Sequence, residues 1–158
     1  MVTQRIANPF IPVRFWTWPP KIFNMDQKIL KIASNLENFY SIKNYTHFKS
    51  LKSMPCGDEI KVYLVVKKGK INNFKYTTDS CIYCQASASL LSRVLLNTNI
   101  DKVEQLFELL SKSFVKNKYK LDKKWKKFSM IINKSNVSRK NCLLLPLKAT
   151  LKALKNSC

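Results

Sequence analysis

Apolar positions along the chain shift from helical to alternating spacing and back, and each shift marks an element. After Asp26, residues Ile29, Leu30, Ile32, Ala33 and Leu36 recur at helical spacing. Asp26 stands where the N-terminal end of a helix dipole favours negative charge, so a short first helix is predicted. Residues 45–51 alternate roughly as a strand and hold His47, the sole histidine. A lone histidine on a strand is read as a surface or half-buried packing residue rather than a ligand. Residues 59–66 alternate and are rich in Val, Tyr and Leu, residues 67–70 read Lys-Lys-Gly-Lys, and residues 71–77 return with Phe74 and Tyr76. That is the pattern of a β-hairpin.

Residues 82–96 predict a helix with small residues early, at Ala86 and Ala88, and Leu90, Leu91, Val94 and Leu95 later. Asn99 reads as the N-cap of a third helix over 100–114, whose apolar face is Val103, Leu106, Phe107 and Leu110. Residues 115–140 are dense in lysine, with Tyr119, Leu121, Trp125 and Phe128 spaced among them. Basic residues interleaved with aromatics can track a nucleic-acid strand, but the favoured reading is that the rings plug onto the core while lysines face water. Residues 139–155 close the chain as an amphipathic helix with Cys142, Leu144, Leu145, Leu147, Leu151 and Leu154, where Pro146 should bend the helix or mark where its regular part begins.

Residues 1–24 stand apart. They hold Pro9, Pro12, Pro19 and Pro20 with Phe10, Phe15, Trp16 and Trp18, and no acidic residue. Proline at that density forbids a regular helix, and the stretch lacks the Ser/Arg-rich amphipathic character of a mitochondrial targeting segment. It is read as an extension ahead of a domain spanning 25–158, with an over-called start codon or an aromatic arm packed on the domain as its two explanations.

A net charge of +20 changes the picture less than its size suggests. Lysine supplies nearly all of it, with arginine only at Arg5, Arg14, Arg93 and Arg139, although Arg is the residue suited to bidentate contacts with phosphate and guanine. Abundant Asn and Ile fit the codon bias of an AT-rich genome. Nucleic-acid binding is therefore kept as an alternative function of another class and is not the main reading. The two glycines, Gly57 and Gly69, provide no phosphate loop or dinucleotide fingerprint. No apolar run approaches the ~20 residues of a membrane span, so no membrane partner is expected. Five cysteines without a secretory signal argue against a disulfide framework and for a reducing compartment, here the cytoplasm.

The candidate chemistry lies between Cys56 and Ser89. Cys56-Gly57-Asp58 sits in the loop entering one hairpin strand, and Cys81 falls just past the end of its partner, so the antiparallel pairing should bring Cys56 and Cys81 together. Cys81 also falls at the mouth of the 82–96 helix, where free backbone N–H groups favour a thiolate. A thiol and a carboxylate two residues apart, with a second thiol at a helix end, make half of a soft-metal site that Cys142 can complete. Three thiolates suit zinc or iron sulfide. Asp58 adds a harder, more labile ligand and is expected, as a loop carboxylate, to contribute little to the fold. The negative charge in excess of a divalent ion would be offset by the surrounding lysines. Cys81-x-x-Cys84 could form a redox pair, but no βαβ context accompanies it, so Cys84 is read as a spare ligand or a packing thiol. Cys158 is read as inert.

Cys56-Gly57-Asp58, Cys81 before Gln-Ala-Ser-Ala-Ser, and Arg139-Lys-Asn-Cys142 on a leucine-rich last helix together resemble the iron–sulfur cluster assembly scaffolds of the NifU N-terminal/IscU/SufU family, over about residues 26–155. The long segment before Cys142 is closest to the SufU-type branch or a related alphaproteobacterial group. Asn141 stands where IscU proper has a histidine and the Leu-Pro-Pro-Val-Lys stretch is missing, so recruitment of an IscU-type chaperone is not carried over. Cys84 departs from the family's small residue.

The resemblance implies an α+β fold of the SufE/NifU type, a three-stranded antiparallel sheet packed against about four helices. It also implies a scaffold that takes sulfur from a cysteine desulfurase, builds a transient [2Fe–2S] cluster on Cys56, Asp58, Cys81 and Cys142, and passes it to acceptor or carrier proteins. As such it is not an enzyme. The alternative within the family is a zinc-dependent sulfur carrier with sulfurtransferase activity, for which the resemblance to SufU nominates Cys56 as sulfur acceptor.

Overall fold

In the computed structural model the described residues are 27–54, 56–114 and 123–155. The 1–24 extension, Asp26, Tyr119, Leu121 and Cys158 lie outside them. Three strands, β1 (His47–Lys52), β2 (Glu59–Lys67) and β3 (Lys70–Asp79), form an antiparallel sheet in that order. The helices are α1 (Gln27–Ala33), α2 (Ile82–Val94), α3 (Asp101–Ser113) and α4 (Lys140–Lys155), with 3₁₀ turns at Lys126–Met130 and Lys134–Arg139. Alternation on β2 sends Ile60, Val62 and Leu64 inward and Lys61 outward, as period-two patterning requires of a sheet covered on one face. Helices α2 and α4 pack against each other and onto the sheet, α1 leans on α2, and α3 on α4. Phe74, Tyr76, Leu91, Leu106 and Phe128 fill the space between; burying each such side chain stabilises by ~1.5–3 kcal/mol.

The β2–β3 turn has positive φ at both Lys68 (50°) and Gly69 (70°), the backbone of a type I′ turn, which matches the twist of paired strands. The register then steps from Val65↔Asn73 to Val66↔Ile71, leaving Asn72 as the extra residue of a bulge. Asn99 does not cap α3, contrary to expectation. The cap position is Ile100, with no side-chain cap bond, because the chain just before it is drawn into strand-like pairing with the turn. Asn99 bridges Lys70, the Ile71 N–H donates to the Thr98 carbonyl (3.0 Å), and the Ile100 N–H donates to that of Gly69 (3.1 Å). Asp101 and Glu104 supply the negative charge that suits the helix start.

In the lysine-rich stretch Trp125, Phe128, Ile131 and Ile132 are buried while Lys123, Lys124, Lys126 and Lys127 are exposed. The rings plug the core and are not offered as stacking platforms. Asn133 accepts from the Asn136 N–H and so starts the second 3₁₀ turn. Helix α4 runs unbroken through Pro146. A proline there has no N–H for the carbonyl four residues back, which is that of Cys142.

Candidate metal centre

Three segments deliver their functional groups to one end of the sheet. The β1–β2 loop is closed by the Ser53 N–H donating to the Asp58 carbonyl (2.7 Å) and the Gly57 N–H donating to that of Ser53 (2.9 Å). Gly57 takes φ 69° with open space around it, so glycine is required there for backbone conformation and not for room. This tight loop leaves Cys56 exposed and turns Asp58 inward. Cys81 caps α2 with extended backbone and no side-chain cap bond of its own. Asp58 supplies one from across the site: Oδ1 accepts from the Cys81 N–H at 2.8 Å, and Oδ2 accepts from the Cys81 thiol at 3.4 Å. The expectation of a loop carboxylate with little structural weight is corrected here, because Asp58 is 3% exposed and holds a helix end.

Cys142 arrives on the first turn of α4 and is buried. Its sulfur lies 3.3 Å from that of Cys56. One ligand atom each from Cys56, Asp58 and Cys142 fall within 4.8 Å of one another, the separation that ligands of a single ion require. Cys81 is not one of these three; it touches the group through its two hydrogen bonds to Asp58, and the expected meeting of Cys56 with Cys81 runs through that carboxylate. The two helices that present Cys81 and Cys142 are tied together by the buried Ser87 hydroxyl, which donates to the Leu143 carbonyl at 2.6 Å. Arg139, three residues before Cys142, lies over the ring of Tyr83, two residues after Cys81 (5.7 Å to its centroid).

Burial, reinforced by Asp58, Cys56 and Cys81, holds the Cys142 thiol well above the ordinary thiol range. A cation binding there must therefore displace a proton, and its affinity rises with pH. Cys84 is fully buried one turn into α2, and desolvation pushes it up to about 12, with Asp58 and Cys81 adding and the Ser80 and Thr78 side chains opposing. It lies behind the ligand cluster and not in it. His47, at the start of β1, has its Nδ1 2.8 Å from the Thr46 hydroxyl and is not among the clustered ligands.

What the sequence reading missed is the second task of Asp58 and the Ser87 clamp. The buried run Ala86-Ser87-Ala88-Ser89 in a helix otherwise lined by leucine was the available signal, since a hydroxyl placed in a core must find an acceptor.

The family model for the NifU-like N-terminal domain matches residues 24–124, a stretch that takes in Cys56, Asp58, Cys81 and Cys84 and stops before Cys142. The chain is 27% identical over 136 residues to the iron–sulfur cluster assembly scaffold protein IscU of Thermotoga maritima, covering 85% of this chain and 96% of that protein. Among solved structures it resembles a nitrogen-fixing NifU-like protein (N-terminal) from Brucella abortus, with TM-score 0.73, 20% identity and coverage of 82% and 91%. It also resembles a SUF-system scaffold protein from Fervidobacterium islandicum, with TM-score 0.69, 23% identity and coverage of 81% and 94%. At those identities the structural likeness speaks to the fold, a sheet of three antiparallel strands with four helices.

Proposed function

The chain belongs to the NifU-like N-terminal domain family, and from that premise we propose that it is a scaffold on which an iron–sulfur cluster is assembled and from which it is handed on. The observation that carries this reading is the convergence of Cys56, Asp58 and Cys142 within 4.8 Å, with Cys81 bonded to the same carboxylate. Three sulfurs match the softness of iron sulfide or zinc, and Asp58 is the harder oxygen among them. Such a ligand set holds a [2Fe–2S] unit while leaving the oxygen position as the point where an acceptor thiol enters. A cysteine desulfurase is the proposed sulfur donor, and carrier or acceptor proteins in a reducing cytoplasm are the proposed recipients.

A second reading, a zinc-held sulfur carrier, is favoured by the exposure of Cys56 on a loop tip while Cys142 is buried. An incoming persulfide can reach that thiol first, and one thiolate leaving the metal would attack it by ordinary exchange. Metal analysis of protein purified without oxygen separates the two. Iron with acid-labile sulfide supports the cluster scaffold, zinc alone supports the carrier, and neither metal sinks both. No helix among the described residues is long and apolar enough to cross a membrane.

A further inference from the structure

We propose that Cys81 and Cys84 form a redox-active dithiol that releases sulfide from a persulfide formed on Cys81, closing a Cys81–Cys84 disulfide as it does so. This rests on the preceding reading that the chain accepts sulfur from a persulfide, with Cys81 in place of Cys56 as the thiol that carries it, and not on the metal part of that reading. Cys81 is the N-cap of α2, and its carbonyl accepts the first helical bond from the Gln85 N–H at 3.1 Å, so its Cα lies on the helix. Helical geometry then sets the Cα atoms of positions 81 and 84 about 5 Å apart, inside the span that a disulfide bridges. The pair is polarised by burial. Cys81 is partly exposed at a helix N-terminus, while Cys84 is 0% exposed and sits beside the hydroxyls of Ser80 and Thr78. Of the two thiols Cys81 is the one that an external sulfur compound meets, and a sulfur carried on it stands one helical turn from Cys84. Asp58 Oδ2 accepts from the Cys81 thiol at 3.4 Å and fixes where its sulfur stands at the helix mouth.

The chemistry balances with a persulfide, RS–SH, as substrate. Cys81 attacks the outer sulfur, forming an Sγ–S bond, breaking the donor's S–S bond and releasing RSH. Cys84 then attacks the Cys81 Sγ and passes its own thiol proton to the departing outer sulfur, forming the intrachain disulfide and releasing hydrosulfide. Two electrons pass from the two thiols to the sulfane sulfur, which ends as sulfide. A dithiol reductant returns the pair to its starting state. A scaffold with such a pair would generate sulfide at the point where it is assembled into a cluster.

The test uses the full chain, freed of metal by a chelator, mixed with glutathione persulfide in the absence of any reductant. Released sulfide is measured, and tryptic peptides are mapped by mass. The proposal expects about one sulfide per chain and a Cys81–Cys84 peptide, with Cys84→Ala and the near-isosteric Cys84→Ser keeping the extra sulfur on Cys81 and releasing sulfide at least ~10-fold more slowly. Wild-type protein that holds the extra sulfur on Cys81 without releasing sulfide overturns the dithiol and leaves sulfur acceptance standing. Equal release by the Cys84 variants also overturns it and moves the step to Cys56 and Cys142. No uptake of sulfur by any cysteine overturns the sulfur-accepting reading itself, and the dithiol with it.

Discussion

Two regions concentrate reactive or charged side chains, and they are built in opposite senses. At the end of the sheet, groups from the β1–β2 loop, the start of α2 and the start of α4 meet, with the buried Asp58 carboxylate and Cys142 thiol beside the half-buried Cys81 and the exposed Cys56. Between α3 and α4, Trp125 and Phe128 point inward singly while the lysines around them face water. The first arrangement costs stability unless a cation or hydrogen bonds compensate, and the second is what a core and a surface do unaided. A functional site is marked by convergence of polar groups from distant segments. Density of charge or aromatics along the sequence does not mark one.

The largest expected effect tests the second region. Phe128 is fully buried, so Phe128→Ala should destabilise by ~3–5 kcal/mol in chemical unfolding, while metal bound per folded chain stays unchanged. Weak, salt-dependent binding to single-stranded nucleic acid should also be unaffected. A variant that kept wild-type stability but lost nucleic-acid binding would break the comparison, because the ring would then be a contact and not a plug. In the first region the signs reverse. Cys142→Ser should lower metal affinity by roughly 100-fold or more, read by competition with a chelator, with a much smaller change in unfolding midpoint. Full retention of affinity would remove Cys142 from the site and turn attention to Cys56, Cys81, Cys84 and Asp58.

Asp58 belongs to both kinds of region, as ligand candidate and as the cap of α2, and two substitutions separate the roles. Asp58→Ala removes the acceptor of the Cys81 N–H and should cost ~1–3 kcal/mol, whereas Asp58→Asn keeps an oxygen there and should cost less than half as much. Both remove the carboxylate as a labile ligand, so a reconstituted cluster should live longer and transfer to an acceptor more slowly in each, followed by visible absorbance. Faster transfer in both would leave Asp58 as a cap alone.

The hairpin of β2 and β3 was legible because alternation, a Lys-Gly turn and β-rich composition agree, and the antiparallel rule correctly brought the Cys81 end of β3 to the Asp58 end of β2. The α3 start was not legible, because Asn99 has the right chemistry for a cap but its backbone is spent on Lys70. Nor was the burial of Asp58, since a carboxylate in a loop looks solvated until the helix end that needs it has been positioned. Local propensity carries the first kind of feature. The second kind exists only once segments far apart in sequence have met.

The smallest expected effect probes how deeply the sheet-end thiols are set. Cys84 is raised from the ordinary 9.0 to about 12 by burial, so the folded chain keeps its thiol proton at alkaline pH values where the unfolded chain has already lost one. A raised acid contributes stability that is fully present below the unfolded value and is lost as pH rises towards the folded one. Between about pH 9 and 12 the native state should therefore weaken through Cys84 alone, by ~1.4 kcal/mol at pH 10. Cys142, shifted in the same direction, adds a slope of the same sign. Cys84→Ala should be less stable than wild type at pH 7 through lost packing, yet the gap should narrow by about that amount at pH 10. In the lysine-rich region Phe128→Ala carries no such titration, and its deficit should stay constant from pH 7 to 10. Unfolding of the metal-free chain at the two pH values gives both numbers, and a gap for Cys84→Ala that did not narrow would mean that its thiol meets solvent in the folded state.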